Sequence, residues 1–341
     1  MKLKTITIDL AKNVFQVCGV NEHIKPQFNQ KLKRSELLDF MRQQTPTVVV
    51  MEACFSSHYW GREIAKLGHD TKLIPAQHVT PFVRGNKNDH NDAFAIAEAS
   101  QQANIRFVPV KSEHQQEISC LHRIRERLVK SKTAMSNQAR GLLSEFGVVF
   151  PCGHKALLSG LTSVIDNPQY SHRLQDMVID MLSEYDTTIE RLKSIKKQLN
   201  EFVDESESGK ILRSIPGIGV INASALLAAI DKGQAFNNPK EFAVWLGLTP
   251  KQHASGNISK MGGITKRGDR YLRKQLIHGA RAFVSRAAKS TDPLALWATK
   301  LRLTKPFNKV AVAVAHRLAR LIWILLTRQE HYRSTPGNLS A

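Results

Sequence analysis

The chain has 341 residues, 42% hydrophobic and 23% charged, a globular balance that excludes wholesale disorder, collagen-like repeats and a single small stapled module. Lys and Arg outnumber Asp and Glu by 49 to 29, a formal net charge of +20, and residues 211–341 concentrate the excess with 21 basic and 5 acidic side chains. Such a field calls for a polyanion, nucleic acid ahead of an anionic membrane surface, and for binding that weakens steeply with salt.

In chain order, alternating apolar runs at Leu3–Asp9 and Val14–Val20 predict a strand pair, with a third strand around Pro26–Gln30. A helix begins near Ser35, and the β-branched run Thr47–Val50 suits a strand buried on both faces. A helix over Ser57–Leu67, a short strand at Thr71–Ile74 and a helix from Asp89 to about Gln102 complete the order β-β-β-α-β-α-β-α. That order is compatible with a ribonuclease H-like mixed sheet flanked by helices.

Residues Ser112–Phe146 then read as a long helix, with Ile118, Leu121, Ile124 and Leu128 on one side and His122, Arg123, Arg125, Arg127 and Lys130 around the rest, a basic face able to follow a nucleic-acid backbone. Beyond a loop at Pro151–Gly153, the series Leu174, Val178, Met181, Tyr185, Thr188, Leu192, Ile195, Leu199 steps by four and three. Core packing within one chain gives the same spacing, but its length favours a coiled coil and hence a dimer or tetramer. Acidic Asp204–Gly209 reads as a linker. Leu212–Val220, with Pro216-Gly217-Ile218-Gly219 leading into an apolar helix, has the form of a helix-hairpin-helix, in which Gly217 and Gly219 would let backbone N–H groups face a phosphate. Two more helices close the chain, one after Asp269 and one over Val310–Leu326, giving a mainly helical C-terminal domain. The expected domains are 1–110, 111–208 and 209–341.

Four carboxylates stand out. Asp9 ends the first strand and Glu52 directly follows the valine run, while Asp89 and Asp92 sit three apart at a helix start and so share one face. In a ribonuclease H-like fold they would converge on one sheet edge, where clustered acids repel unless divalent cations, Mg²⁺ or Mn²⁺, neutralise them. Two such ions could clamp the attacking and leaving oxygens of phosphoryl transfer. Individually each acid has a plain structural role, as cap, turn or surface residue; the combination carries the reading. Further on, Ser255-Gly256 precedes a glycine-loosened stretch holding Lys260, Lys266, Arg267, Arg270, Arg273 and Lys274, groups suited to phosphate, and makes Ser255 a candidate nucleophile.

Cys18, Cys54, Cys120 and Cys152 match no zinc spacing and read as reduced cytosolic thiols. No apolar leader precedes Asp9, and Val310–Thr327 is interrupted by His316, Arg317 and Arg320, as in a buried helix. The expectation is a cytoplasmic, nucleoid-associated protein with no membrane partner.

Asp9-Leu10-Ala11-Lys12, Met51-Glu52-Ala53, Asn88–Ala93, Ile215–Gly219, Gly247–Pro250, Ser255-Gly256, Gly262–Arg273 and His278–Ala282, in that order, resemble the motifs of the transposases of the insertion-sequence one-ten family, which includes the Piv-type invertases; the eleven-eleven subgroup is the nearest in form. The resemblance spans nearly the whole chain. It implies a RuvC-like domain with an Asp-Glu-Asp-Asp site at Asp9, Glu52, Asp89 and Asp92, and a catalytic serine at Ser255. It also implies recombination of element ends, or a junction, with target DNA, the DNAs being chosen by a structured non-coding guide RNA whose pairing reads sequence while the protein reads shape. Phe55 departs from the pattern, since relatives often have a small residue there. The expected function is a DNA recombinase working through a phosphoserine. The rivals are a RuvC-like junction nuclease using metal-bound water, which forms no protein–DNA adduct, and an architectural nucleic-acid-binding protein that cleaves nothing.

Overall fold

Alternation of Thr and Ile over Thr5–Asp9 sends two sets of side chains to opposite faces of a strand, and both faces are covered. The computed structural model describes residues 3–84, 88–255 and 258–334. Two compact units divide the chain, Met1–Gln116 and Glu117–Ala341.

The first unit is built on a five-stranded mixed sheet. β1 (Thr5–Asp9), β2 (Val14–Val20) and β3 (Pro26–Lys33) form an antiparallel meander; after α1 (Leu37–Arg42), β4 (Val48–Glu52) pairs parallel to β1, and after α2 (Ser57–Lys66), β5 (Asp70–Ile74) pairs parallel to β4. The order across the sheet is β3-β2-β1-β4-β5. Pro26, Lys31 and Lys33 mark β3 as an edge that resists pairing with other chains. One face buries Ile6, Ile8, Phe15, Val17, Val49 and Met51 against Leu37, Met41, Trp60 and Ile64 of α1 and α2. Each such side chain contributes about 1.5–3 kcal/mol on leaving water.

The other face is covered by α4 (Asp89–Ser100), which follows the single turn α3 (Ala76–Val79). Ala93 and Ala97 lie on Cys18 and Val20, while Ala95, Ile96 and Ala99 lie on Val50 and Ile74. Alanines let the helix axis come close, and Thr7 Oγ1 donates to the Ala93 carbonyl at 2.7 Å. A residue with a larger side chain at Ala93 or Ala97 would lift the helix from the sheet.

In the second unit, α5 (Glu113–Ser144) and α6 (His154–Ile165) pack with α7 (His172–Glu205), whose N-terminus is capped by Ser171. The heptad-spaced residues Leu174, Val178 and Tyr185 bury against α5 and α6, and Ile195 and Leu199 against Ile118 and Leu128 of α5 and Ala228 further along. The seam expected to join two chains is therefore filled by this chain's own helices, so its spacing records internal packing. The acidic stretch expected to be a linker instead ends α7 with Asp204 and Glu205 and starts α8 (Glu207–Ser214), because Ser206 caps the new helix by accepting from Gly209 N at 3.2 Å and Ile211 and Leu212 are buried. Gly209 is there for closeness: a Cβ would collide with the Val203 carbonyl oxygen.

α9 (Val220–Ile230), α10 (Pro239–Trp245), a hairpin of β6 (Pro250–Ser255) and β7 (Ile258–Ile264), α11 (Arg270–Arg286), α12 (Pro293–Arg302) and α13 (Phe307–Arg328) complete the unit. α13 is long and apolar enough to cross a membrane by length and composition, yet Val310, Val314, Leu318 and Ile322 pack in the core formed with α9, α10, α11 and α12. The Pro-Gly-Ile-Gly turn before α9 lies backbone to backbone on α11. Gly217 has φ +86° and a Cβ there would come within 3.0 Å of the Gly279 carbonyl oxygen, while a Cβ on Gly279 would strike the Gly217 carbonyl.

A buried polar relay ties three helices of this unit. His122 of α5, 4% exposed, lies between Tyr271 of α11 (Nδ1 to Oη 2.8 Å) and Ser224 of α9 (Nε2 to Oγ 3.0 Å). The Ser224 hydroxyl donates to the Val220 carbonyl at 2.7 Å, so it must accept from His122 Nε2–H, which leaves Nδ1 to accept from Tyr271. His122 was expected on the basic outer face of α5; it is instead an internal tie that is satisfied only when neutral. Burial first, and then the Arg125 charge, push its pKa down from 6.5 to about 4. Below pH 6.5 the unfolded chain takes up a proton that the folded chain refuses, so stability is full above 6.5 and is lost as the pH falls toward 4. Thermal unfolding of the full chain should lose on the order of 3 kcal/mol across that window, and His122→Gln should flatten the slope; an equally steep loss in the variant would assign it to other groups.

Candidate active site

Asp9 and Glu52 are the last residues of adjacent parallel strands. Ile8 pairs with Met51, so the two acids stand side by side one step further on. Both project to the α4 face, because Thr5 and Thr7 share Asp9's side of β1 and Val48 and Val50 share Glu52's side of β4. Thr5 accepts from Gln101 at the C-terminal end of α4 and Thr7 meets Ala93, so the continuation of β1 carries Asp9 toward the helix N-terminus. Their charge is felt locally. The Cys54 thiol is pushed up to about 11 by burial, then by Glu52 and by Asp9.

Asp89 and Asp92 fall in the first turn of α4, where carboxylates suit the helix dipole. The cap is not Asp89 but Asn88, which accepts from Asn91 N at 2.8 Å. Asp89 is drawn sideways to Lys31 of β3, Nζ to Oδ2 3.5 Å, while Asp92 adjoins Ala93 and thus the β1 end. All four acids therefore lie at one end of the sheet and its helix. Among the described residues, however, no group of three or more His, Cys, Asp or Glu side chains is close enough to hold a metal ion. The donor chemistry, hard carboxylate oxygen, fits a divalent cation.

The turn leaving Glu52 is tight, with Cys54 N donating to the Glu52 carbonyl at 2.8 Å and Ser56 at φ +63°. Phe55, the departure from the family pattern, is 63% exposed on this turn.

Ser255 is the last residue of β6 and is exposed, paired with Ile258 of β7. Gly256 and Asn257 lie outside the described residues. The base of this exposed hairpin is held firmly: Thr265 N donates to the Thr249 carbonyl at 2.8 Å and Lys266 N to the Gly247 carbonyl at 3.1 Å. Gly247 (φ +68°) and Gly268 (φ +79°) have no room for a Cβ, which would strike the Arg267 and Trp245 carbonyl oxygens respectively. The hairpin was missed in the sequence, although Gly-Asn between two six- to seven-residue extended runs is a two-residue hairpin signal.

The basic residues sort into two groups. Lys260, Lys266, Arg267 and Arg270 are exposed, with Lys251 and His253 beside them on β6. Arg273, expected to meet phosphate, is only 9% exposed and donates to the Leu246 and Arg267 carbonyls at 3.0 and 2.9 Å, so its role is to bind the hairpin base to α11. Lys274 pairs with Glu126 of α5 at 2.5 Å. Gly217 likewise uses its close approach on Gly279, while Gly219, at the start of α9, faces open space.

Residues 6–148 match a family model for DEDD transposases of the IS110 type, described as "Transposase", and residues 209–294 match "Transposase IS116/IS110/IS902 family". Among curated proteins, a "Probable family 20 transposase" of Pseudomonas aeruginosa is 42% identical over 99% of this chain and 100% of its own length. The transposase for insertion sequence element IS1111A of Coxiella burnetii is 37% identical over 97% of this chain and 92% of its own. A more distant relative, the pilin gene-inverting protein of Moraxella bovis, is 24% identical over 80% of each chain.

Two measurements check this geometry without any substrate. With Cys120 and Cys152 changed to Ser, Asp9→Asn combined with Glu52→Gln should lower the pH midpoint of Cys54 alkylation from about 11 but stop short of 9, because burial, the larger cause, remains; no shift would place the two charges apart. Gly268→Ala should cost on the order of 2 kcal/mol or more in thermal unfolding, since it adds a left-handed strain to a backbone collision. An Ala variant as stable as the wild type would mean that the clamp is loose.

Proposed function

Because the chain belongs to the IS116/IS110/IS902 family of transposases, we propose that it cuts and rejoins DNA through a covalent phosphoserine at Ser255, with Asp9, Glu52, Asp89 and Asp92 holding Mg²⁺ or Mn²⁺. In the reaction the Ser255 hydroxyl gives up its proton to water, its Oγ bonds to the phosphorus of a DNA phosphodiester, and the bond from that phosphorus to the leaving strand's oxygen breaks, that oxygen taking a proton from water to leave as a hydroxyl. A divalent cation would supply charge neutralisation at the phosphate oxygens. This chain's own contribution is to present the hydroxyl and to bind the backbone. Ser255 stands exposed at the end of a hairpin clamped at its base, with Lys260 along the hairpin and Lys266, Arg267 and Arg270 in the loop that leaves it, all exposed and able to donate hydrogen bonds to a phosphate backbone. Isolated units would be inactive, because the acids and the serine fall in different compact units, joined either within one chain or between the subunits of a dimer or tetramer.

DNA is the substrate of the family. The finer proposal is that a structured non-coding RNA from the element selects both DNAs by base pairing, with the C-terminal excess of positive charge serving the RNA and DNA backbones. The protein would then act in the cytoplasm at the nucleoid.

The observation that carries the serine reading is the exposed position of Ser255 at the far end of a base-clamped hairpin that also carries Lys251, His253 and Lys260, an arrangement that packing does not require. It is tested by incubating the full chain with element-end RNA, a labelled DNA junction and Mg²⁺, and comparing wild type, Ser255→Ala and Asp9→Ala on a denaturing gel. A protein–DNA band present in the wild type and lost in both variants is expected. Strand cleavage without an adduct, abolished by Asp9→Ala but retained by Ser255→Ala, would overturn the phosphoserine and leave a junction nuclease using water.

A further inference from the structure

We propose that Gln16 supplies a fifth, neutral oxygen ligand to the cation site of the four acids. The residue interrupts the apolar run of β2, between Phe15 and Val17, and is Asp9's direct cross-strand partner. It lies on the α4 face, as Cys18 and Val20 on the same strand do, and it is only 4% exposed. A buried amide in such a place ordinarily satisfies both its ends. Here one end is satisfied and the other is not.

The orientation of the amide is fixed by a relay that begins at a group unable to donate. The His90 carbonyl, in the first turn of α4, accepts from Asn29 Nδ2 at 3.1 Å. Asn29 must therefore turn its oxygen the other way, toward Gln16, whose Nε2 donates to it at 2.5 Å. Flipping either amide would set oxygen against oxygen or nitrogen against nitrogen. Gln16 Oε1 is thus turned away from β3, on a buried atom that has no hydrogen-bond partner among the described residues.

An unpaired acceptor buried beside a carboxylate is doubly unfavourable, because it forfeits its own hydrogen bonds and adds a partial negative charge to an acidic site. A hard cation reverses both signs. It accepts the carbonyl oxygen as a ligand, and amide oxygens are ordinary members of Mg²⁺ and Mn²⁺ coordination shells alongside carboxylates. The relay also links this ligand to the helix that carries Asp89 and Asp92, since it runs through the carbonyl of His90, which lies between them. The same hydrogen bonds that orient Gln16 hold the α4 first turn over the strand ends.

This inference rests on the reading of the acids as a cation site, and the experiment separates the two. The full chain, with Cys54, Cys120 and Cys152 changed to Ser so that accessible thiols do not compete, is titrated with Mn²⁺ by electron paramagnetic resonance and with Cd²⁺ by calorimetry. Thermal unfolding without metal serves as the folding control. Gln16→Leu, which removes the oxygen, should weaken Mn²⁺ binding about tenfold. Gln16→Met, similar in length but offering a soft sulfur, should weaken Mn²⁺ to a similar degree while gaining Cd²⁺ affinity relative to Mn²⁺, a change of preference that mere loosening of the fold would not produce. Wild-type Mn²⁺ affinity in both variants, with Asp9→Asn losing it, would overturn the role of Gln16 alone; so would parallel losses of Mn²⁺ and Cd²⁺ in Gln16→Met. Unchanged binding in Asp9→Asn would remove the cation site itself, and the role of Gln16 with it.

Discussion

The first unit depends on how closely α4 can approach the sheet. Its contact face is made almost wholly of alanine, and the Thr7 hydroxyl takes the Ala93 carbonyl as its partner across that contact. The consequence is chemical as well as structural. A helix seated at this distance and angle brings its first turn, where backbone N–H groups favour negative charge, to the ends of the two strands that finish in Asp9 and Glu52. The elements that carry these carboxylates are thus brought to one end of the sheet by apolar packing and a backbone carbonyl, and not by the acids themselves.

The second unit solves a comparable problem with carbonyls. Its hairpin buries almost nothing, and a two-stranded ribbon is marginal alone. Its order is imported at the base, where Gly247, Gly268 and Arg273 bring the chain after β7, the end of α10 and the start of α11 into one hydrogen-bonded node. Arginine suits the node because a single guanidinium nitrogen, Nη1, carries two N–H groups and donates to both carbonyls. The His122 relay performs the same service deeper in the unit, joining α5, α9 and α11 through groups that each donate once and accept once.

Much of this was legible in the sequence. Asp9 and Glu52 could be found because an acid at the end of an apolar strand is a visible anomaly, and the sheet could be found because Thr47–Val50 is an unbroken β-branched run. What escaped shares one cause: a residue's partner lies on another element. The period of α7 announces a buried stripe but not what buries it, and α5 and α6 do so within the chain. Asp204–Gly209 has a linker's composition, yet the next residues, Ile211 and Leu212, decide the outcome by burial. Arg273 looks like its neighbour Arg270 in sequence and differs only because two carbonyls converge on it. Gln16 was invisible for the same reason, since nothing in β2 tells which of its two amide ends will find a mate.

The turn at Gly217 resting on Gly279 has a hereditary consequence. Many contacts in a protein can drift because a loss on one side is compensated by a gain on the other, large for small and small for large. Here each backbone is the other's ceiling, and a side chain added on both sides would conflict more than on either alone. No second change within the pair can rescue the first. A substitution at Gly279 therefore has to be met by a backbone shift at Gly217, and one at Gly217 adds left-handed strain to the same contact, so change at these two positions is absorbed by the main chain and not by side chains.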